Sequence, residues 1–487
     1  MKKNATRYLA LSLLVTGAIT LGGCGGGSGG NSNLNPTSYS VGGAITGLGD
    51  LTGLVLANGS DTLQVPANAT SFTMPTSVAN GQPYDLTVKI HPTALYCSVV
   101  SGSGTVNGAN VTSITVSCEA GSESVLHYFA GGATDGADPD GGLIQASDGN
   151  LYGVTYGGGA NCCGALFKIT PDGTETVLHY FTGGSTDGLS PVGSLIEASD
   201  GNFYGVTDEG GTSNNGVVFK ITPTGTESVL YSFDGGTTDG ANPVGSLIQA
   251  SDGSFYGVTR LGGTSGYGVL FKITPGGTET VLHSFAGGTA NDGATPIGPL
   301  IQGSDGNLYG VTYEGGASYD GVAFKSTLSG AESVLYSFHG GTTDGANPAG
   351  GLIQASDGNF YGVTQYGGPN GGAVGAGVVF KMTPDGTESV LYLFKGGTSD
   401  GAWPGGALIV GSDGNFYGTT YASGASGYGV VFKVTPDGAE SVLYSFAGRT
   451  TDGANPVGGL IQASDGSLYG MTAEGGSNNQ GTIFEFN

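Results

Sequence analysis

The chain has 487 residues, 99 of them glycine, and 13 Lys and Arg against 38 Asp and Glu give a formal net charge of −25. This charge excludes a nucleic-acid partner, because phosphate binding needs clustered lysine and arginine. The glycines follow no G-X-Y period and are interleaved with Val, Ile, Leu, Phe and Tyr, which excludes collagen and argues against disorder.

Residues 1–23 predict a lipoprotein signal peptide. A basic start is followed by an apolar stretch over 8–21 that is too short to span a bilayer. It ends in Leu21-Gly22-Gly23-Cys24, which resembles a bacterial lipobox and implies cleavage before Cys24 and lipidation of that cysteine. An ordinary cleavable signal is the alternative.

Residues 24–38 then form a flexible Gly/Ser/Asn tether behind the lipidated cysteine. Gly25 at the second mature position favours the outer membrane or the cell surface as the location. The lipid anchor is the only membrane contact that we expect, since a strongly acidic chain is repelled by anionic lipid surfaces.

Residues 39–119 predict a small β-sandwich. Short alternating apolar runs are separated by turn dipeptides such as Asn58-Gly59, and no helical period occurs. The segment resembles the Ig-like modules that follow lipoprotein tethers. Cys97 and Cys118 flank its last two strands, and in an exported chain such a pair predicts a disulfide, with two free thiols as the alternative.

From residue 122 the chain is a tandem repeat of about 52 residues. Each unit is predicted to hold four strands, which in the second unit cover 195–198, 202–207, 216–222 and 227–233, with Asp200-Gly201 as a two-residue hairpin turn. The tag S-D-G-x-[LF]-Y-G occurs seven times, with its aspartate at Asp148, Asp200, Asp252, Asp305, Asp357, Asp413 and Asp465.

Seven units of four strands predict an all-β protein whose residues 122–487 form a seven-bladed β-propeller, and a β-solenoid is the competing architecture. A fourth-strand sequence at 123–129 precedes the first full unit, while the last unit ends at Asn487 after its third strand. Pairing of 122–129 with 481–486 would close the ring and remove two open sheet edges.

The units resemble the choice-of-anchor tandem-repeat family called GloVer, whose repeats carry S-D-G-N-[LF]-Y-G followed by G-V-[VL]-F-K-[IV]-T-P-D-G. The resemblance covers about 122–487. It supports the fold and an exported location, and it implies no particular activity.

No catalytic set is predicted from the histidines. Three of them occupy a fourth-strand position that is tyrosine in other units, so we interpret them as packing residues with a polar tip. These are His127, His179 and His283. His91 and His339 are isolated, which leaves neither a Ser-His-Asp triad nor a histidine-rich metal site.

The adjacent cysteines Cys162 and Cys163 lie in the variable loop of the first unit. A vicinal disulfide, two free thiols and a soft-metal contact are all compatible with this pair. Two sulfurs without nearby Cys or His partners make a poor metal site.

Two rings of charge recur with the repeat. The first ring comprises Lys168, Lys220, Lys272, Lys325, Lys381 and Lys433, with Glu485 in the seventh unit. These lysines are predicted to form an acid–base ladder with fourth-strand glutamates such as Glu175 and Glu227. The second lies between units and comprises Asp135, Asp187, Asp239, Asp292, Asp344, Asp400 and Asp452. We interpret these aspartates as turn caps, with Ca²⁺ binding as the alternative because carboxylates are hard oxygen ligands. No other cofactor is expected.

The long, variable loops of a propeller share one face, and binding residues concentrate on such loops. The predicted ligand-binding residues there are Trp403, Tyr366, Tyr421, Tyr313, Tyr428 and Arg260, with packing of their own loops as the alternative. We expect a non-enzymatic, lipid-anchored surface module that binds a carbohydrate or protein ligand. A glycan-active hydrolase or lyase and a structural envelope spacer are the competing classes, but no unit carries a distinct pair of catalytic carboxylates.

The lipobox generates the first testable prediction. Replacing Cys24 by serine removes the thiol that would carry the lipid, so Cys24→Ser is expected to release the protein from membranes or to block its processing. Membrane fractionation and the mass of the mature chain check this. An acylated species of mature size that still fractionates with membranes would show that the lipobox interpretation is wrong.

Overall fold

The computed structural model describes residues 37–161, 163–288, 292–369 and 375–487. Cys24, the tether up to residue 36 and Cys162 lie outside the described residues. Within these ranges the protein is all-β, and no helix there is long and apolar enough to cross a membrane.

The first domain consists of two four-stranded sheets and a short two-stranded one. One sheet contains Ser71–Thr73, Val41–Thr46, Val111–Ala120 and Leu95–Val100, and the other contains Asp61–Gln64, Val55–Asn58, Pro83–Ile90 and Ser103–Thr105. Ser38–Tyr39 pairs with Val78–Ala79. Both larger sheets contribute to one apolar core, and a disulfide joins Cys97 to Cys118 on neighbouring strands of the first.

The repeat region forms seven antiparallel sheets, here numbered sheet 1 to sheet 7 in the order of their second strands. The first strands are Ile144–Gln145, Gly188–Glu197, Gly240–Gln249, Gly293–Gln302, Gly345–Gln354, Gly401–Pro404 with Ile409–Val410, and Gly453–Gln462. The second strands are Leu151–Thr155, Phe203–Gly210, Phe255–Gly262, Leu308–Gly315, Phe360–Gly367, Phe416–Ser423 and Leu468–Gly475.

The third and fourth strands complete each sheet. The third strands are Ala165–Ile169, Val217–Ile221, Val269–Ile273, Val322–Ser326, Val378–Met382, Val430–Val434 and Thr482–Phe486. The fourth strands are Glu175–Tyr180, Glu227–Ser232, Glu279–Ser284, Glu332–Ser337, Glu388–Leu393, Glu440–Ser445 and, for sheet 7, Glu123–Tyr128. A short extra pair joins Gly136–Ala137 to Gly157–Gly158.

The third strands explain why the sheets stack face to face. In Val217–Ile221 every residue is buried except the half-buried Lys220, so both faces of this strand are covered. Apolar clusters fill the space between each sheet and the next, and a further cluster brings Phe167 of sheet 1 against Tyr469 and Met471 of sheet 7. The succession of sheets therefore returns to its starting point.

Sheet 7 takes its fourth strand from the other end of the repeat region. Glu123 lies opposite Phe486, and Tyr128 lies opposite Thr482, in an antiparallel register with one irregularity. The C-terminal strand thus has a partner on both edges, as each third strand of the other sheets does.

A ring of close backbone contacts lies where the first strands of the seven sheets meet. A Cβ atom added to any of seven glycines would lie 1.8–2.5 Å from the backbone of the next sheet, and the last of them contacts the first. These are Gly141, Gly193, Gly245, Gly298, Gly350, Gly406 and Gly458. Only glycine permits this approach, so the glycine content has a structural cause in this ring.

Two predictions for the second unit are wrong, namely the start of its first strand and the length of the turn at Asp200. The first strand of the second unit starts at Gly188, directly after Asp187, and not at residue 195, because a bulge between Val192 and Ile196 lets the chain continue pairing. The loop at Asp200 is longer than a two-residue hairpin: Gly201 N–H donates to the Ala198 carbonyl, and Asn202 N–H donates to Asp200 Oδ1.

The predicted lysine–glutamate ladder is also wrong. Five lysines pair instead with the aspartate of their own S-D-G tag, at Nζ–Oδ2 distances of 2.7–3.0 Å: Lys168, Lys220, Lys272, Lys325 and Lys381. The tag tyrosine, such as Tyr204, donates to the same aspartate oxygen. The register explains the choice of partner: Lys220 lies opposite Tyr204 and Ser228, whereas Glu227 lies opposite Ile221. Alternate residues of a strand point to opposite faces, so the glutamate lies on the other face of the sheet, near Asp187 and His179 of the preceding unit.

The first domain packs on this turn side of sheets 6 and 7. His91 N–H donates to the Asp465 carbonyl at 2.7 Å, and Thr93 Oγ1 lies 3.0 Å from Ser412 Oγ. In this covered region Glu485 replaces the lysine and accepts a hydrogen bond from the Tyr469 hydroxyl at 3.1 Å.

The fourth-strand glutamates lie between sheets, each near the Asp of the preceding inter-unit loop. Burial, and then the like charge of that aspartate, raise the pKa of Glu227 and Glu279 to about 7 from the ordinary 4.5. Glu123, Glu388 and Glu440 follow the same pattern. By contrast, although burial opposes it, Lys168 holds the pKa of Asp148 well below its usual 3.8.

These opposite shifts predict a stability maximum at mildly acidic pH. The glutamates bind protons more tightly in the folded state than in the unfolded state. Their contribution to the free energy of unfolding is therefore complete below pH 4.5 and is lost as the pH rises through about 7. The tag aspartates contribute above pH 3.8, and that contribution is lost as the pH falls below this value. We expect a higher Tm at about pH 5 than at about pH 8.

Thermal unfolding of Glu227→Gln and Glu279→Gln tests the assignment, because Gln keeps the shape of the side chain and does not titrate. In both variants the difference between the Tm at about pH 5 and the Tm at about pH 8 should be smaller than in the unmodified protein. Glu119→Gln, at an exposed position, is the matched control and should leave it unchanged. An equal effect in all three variants would contradict the role of the buried glutamates.

Candidate functional site

A cavity of about 580 Å³ lies at the glycine ring and is lined by all seven ring glycines. Its wall also includes Leu143, Val192, Val244 and Ile297, which are apolar, and the polar side chains described below. Each sheet contributes an equivalent glycine to the wall of this cavity. The two sides of the wall can therefore differ in chemistry only where the residues of the units differ. We call it the axial cavity.

One variable position follows the buried threonine at the end of each second strand, and we call it the rim position. It is occupied in turn by Tyr156, Asp208, Arg260, Tyr313, Gln365, Tyr421 and Ala473. The threonine before it is constant and buried in every unit. Tyr156, Asp208 and Arg260 line the axial cavity, so the first three sheets present polar and charged groups to it.

A second position singles out sheet 1. The residue after the first-strand proline is apolar or glycine in six units: Val192, Val244, Ile297, Ala349, Gly405 and Val457. In the first unit it is Asp140, whose side chain lines the axial cavity and stays open to the water inside it.

The two aspartates of the cavity are in different electrostatic situations. Arg260 Nη2 lies 3.1 Å from Asp208 Oδ1, and the Asp208 side chain is largely buried. Asp140 has no hydrogen-bond or ion-pair partner for its carboxylate among the described residues. Burial, and then the neighbouring Asp208, raise the pKa of Asp140 to about 6, an effect that Arg260 partly offsets.

Aromatic residues occupy the corresponding region of sheets 4 to 6. The Tyr313 hydroxyl donates to Gln365 Oε1 at 2.9 Å. Burial, and then the adjacent Tyr366, raise the pKa of Tyr313 to about 12. Tyr366 meets Trp403 edge to face, with ring centroids 6.4 Å apart. We call Tyr313, Tyr366 and Trp403 the aromatic arc.

Trp403 occupies a backbone position that suits asparagine better. The residue before the first-strand proline has a positive φ in every unit, and in Trp403 the angle is 61°. Asn242, at the same position, donates its side-chain amide to the carbonyl of the rim residue Asp208. A bulky residue in this conformation costs on the order of 1 kcal/mol, so the aromatic ring has replaced both a favourable conformation and a hydrogen bond.

The structure thus brings together part of the predicted ligand-binding set. Trp403, Tyr366 and Tyr313 are neighbours, and Arg260 lines the axial cavity with Asp208. Tyr421 is exposed at the rim position of sheet 6. Tyr428 lies in the next loop, where its ring would contact a Cβ added at Gly448.

The sequence analysis did not select Asp140 and Asp208 as ligand-binding residues. Both lie in an acidic chain where single aspartates carry little information. Comparison of the units position by position would have revealed Asp140, because it is the one acidic side chain at an otherwise apolar or glycine position.

The seven inter-unit aspartates cap their own loops. In each, Oδ1 accepts the N–H of the following glycine at 2.6–2.7 Å, and Oδ2 accepts a backbone N–H from an earlier loop residue at 2.5–2.8 Å. These bonds account for the recurring aspartate without an ion. Calcium binding at these positions stays a prediction.

Among the residues that the structure describes, three groups of His, Asp and Glu could hold a metal by composition, with ligand atoms within 4.8 Å of one another: His127, Asp135 and Glu175; His179, Asp187 and Glu227; and His283, Asp292 and Glu332. In other units a tyrosine takes the place of the histidine and donates to the same aspartate, as Tyr231 does to Asp239 at 3.0 Å. Because histidine and tyrosine replace each other at this position, we interpret the position as one that donates a hydrogen bond to the aspartate between sheets.

Solved structures match this chain at low sequence identity and with TM-scores below 0.5. The extracellular domain of BT3049 of B. thetaiotaomicron, named as a hybrid two-component system, is 12% identical over 79% of this chain and 43% of that one, with a TM-score of 0.48. The extracellular domain of BT4673 is 13% identical over 89% and 52%, with a TM-score of 0.47. This chain therefore spans about half the length of these two structures.

A periplasmic gluconolactonase of Pseudomonas aeruginosa is 16% identical over 71% of this chain and 94% of its own, with a TM-score of 0.42. At these scores the likeness says nothing about activity. A search of curated proteins finds no match.

Three overlapping segments, residues 82–303, 236–371 and 298–487, match the Gloeobacter/Verrucomicrobia repeat. Together they cover well over half of the chain and all seven S-D-G tags. The protein therefore belongs to the Gloeobacter/Verrucomicrobia repeat family.

Proposed function

We propose that the protein is a non-enzymatic binding module that takes a small, polyhydroxylated, sugar-like molecule at the axial cavity. The observation that carries this proposal is the polar wall of the cavity, to which sheets 1 to 3 contribute Asp140, Tyr156, Asp208 and Arg260. The aromatic arc lies on sheets 4 to 6, where Tyr313 occupies the rim position, and we infer that it adds an aromatic surface beside this wall.

Sugars suit a polar wall beside an aromatic surface because they have hydroxyl groups on their edges and apolar C–H faces. Carboxylates and a guanidinium bind hydroxyls through charge-assisted hydrogen bonds, and aromatic rings stack on the apolar face. A cavity of about 580 Å³ is within the range of small-molecule sites. The rim position holds five different residue types in the seven units, as expected if a constant scaffold uses this position to bind a ligand.

The architecture that supports this function is proposed as well. Seven sheets that return to their starting point favour a seven-bladed β-propeller, and the two sheets of the first domain favour an Ig-like sandwich. With Cys24 lipidated, the molecule would be anchored to the outer membrane or cell surface and would present the axial cavity to the exterior or the periplasm. A structural spacer would have no need for unlike residues at the rim.

A glycan-active hydrolase or lyase is the second candidate. Asp140 has a raised pKa and lies near Asp208, which is paired with Arg260. Two carboxyls in unlike environments are the arrangement of a general acid and its partner. Product release from a disaccharide panel, followed by chromatography, separates this class from simple binding.

We expect cellobiose, maltose and chitobiose, titrated by calorimetry, to include at least one ligand with a Kd below about 1 mM. The fluorescence of Trp403, the only tryptophan, should change on binding. Trp403→Asn restores the residue of three other units, and Tyr156→Ala restores that of sheet 7. Each should weaken binding about tenfold or more, equivalent to about 1.4 kcal/mol.

Tyr96→Ala is the control, because Tyr96 is an exposed aromatic residue of the first domain and does not line the axial cavity. It should leave the affinity unchanged. If none of the three disaccharides gives heat or a change in fluorescence, the proposed function is wrong. Equal losses in Tyr96→Ala and the cavity variants would place the binding elsewhere.

A further inference from the structure

The cavity of this proposed binding module holds one carboxylate without a counter-ion. Asp208 has Arg260 at 3.1 Å, so that pair is close to neutral. Asp140 accepts no hydrogen bond at its carboxylate from the described residues, and no described cation is within ion-pair distance. The described polar wall therefore carries one unbalanced negative charge.

The surroundings of Asp140 make this charge costly. The post-proline positions of the next three sheets are Val192, Val244 and Ile297, all of which line the same cavity. A carboxylate enclosed in a cavity with apolar groups keeps only part of its hydration and gains no hydrogen bond or ion pair from those groups. Its pKa, raised to about 6, reflects the same environment. A valine at this position would avoid the cost, as it does in three of the other units.

We propose that Asp140 is the counter-ion for a positively charged nitrogen on the ligand, so that the axial cavity selects amino sugars over neutral sugars of the same shape. This inference rests on the proposed function of sugar binding and adds the chemical class of the ligand.

An ammonium group suits Asp140 better than a metal ion does. Ca²⁺ requires six to eight oxygen ligands, and Asp140 is the one carboxylate of the cavity that is not already paired. An ammonium group needs only a few acceptors around it, which the Asp140 carboxylate and backbone carbonyls of the ring can supply.

The remaining polar wall suits the hydroxyl groups of the same ligand. Ser194 Oγ accepts the N–H of Gly142 at 3.0 Å, and Ser246 Oγ accepts the N–H of Ser194 at 2.8 Å. Each hydroxyl thus keeps its own proton to donate, and both serines line the cavity next to ring glycines. An amino sugar would find a fixed negative charge and nearby hydroxyl donors in one half of the site.

Three disaccharides that differ only in the group at carbon 2 test the selectivity: the glucosamine disaccharide, its N-acetylated form and cellobiose. Calorimetry of the full-length protein at neutral pH should show at least tenfold tighter binding of the charged disaccharide than of cellobiose. This preference should decrease below about pH 6, where Asp140 becomes protonated.

Two variants assign the preference to Asp140. Asp140→Val places the residue of three other units at this position, so the fold is expected to be retained, and Asp140→Asn removes the charge with little change in shape. Both should abolish the preference for the charged disaccharide. Asp138→Asn, two residues away, removes a neighbouring charge and places the asparagine of three other units; it should leave the preference intact.

The outcomes separate this inference from the proposed function. Equal affinities for the charged disaccharide and cellobiose would overturn the amino-sugar selectivity and leave sugar binding in place. No binding of any of the three would overturn both. A preference that survives in Asp140→Val, or that is lost equally in Asp138→Asn, would show that Asp140 is not the counter-ion.

Discussion

The close approach of seven backbones at the glycine ring is the contact on which the rest of the repeat region depends. A Cβ added at Gly193 would lie 2.2 Å from the Gly245 carbonyl, and one at Gly458 would lie 2.1 Å from that of Gly141. The first strands can come this near only because side chains are absent there. Their mutual approach brings the rim residues of sheets 1 to 3 and most of the post-proline residues to one cavity.

A repeat built in this way separates stability from specificity. The tag aspartate, its tyrosine and lysine, the buried threonine and the capping aspartate recur because each satisfies hydrogen bonds inside its own unit or at the next interface. The rim and post-proline positions make fewer of these bonds, so they can change without disturbing the sheet. Asp140 is such a change at the post-proline position, and Trp403 is a comparable change at the position before the proline; each replaces a residue that suits its local environment better.

Much of the repeat architecture followed from the sequence, because the S-D-G tag, the alternating strands and the displaced fourth strand are local and periodic. The partner of each lysine did not follow, because the glutamate and the tag aspartate are both plausible until the register is known. The cavity was missed for a related reason: Asp140, Asp208 and Arg260 are separated by 68 and 52 residues in the chain and meet only through the ring. Trp403 and Tyr366, both predicted from the sequence to bind a ligand, are in ring contact, and ligand binding by them stays a prediction.

The axial cavity depends on closure of the ring, and hydrogen exchange measures this closure directly. Amides of 123–128 pair with 482–486, so they should exchange as slowly as those of the equivalent strands of sheet 4, 332–337 and 322–326. The result that closure predicts is one common level of protection for the two pairs of strands. Rapid exchange of 123–128, with protection retained in sheet 4, would show that sheet 7 is open and would contradict the closed ring.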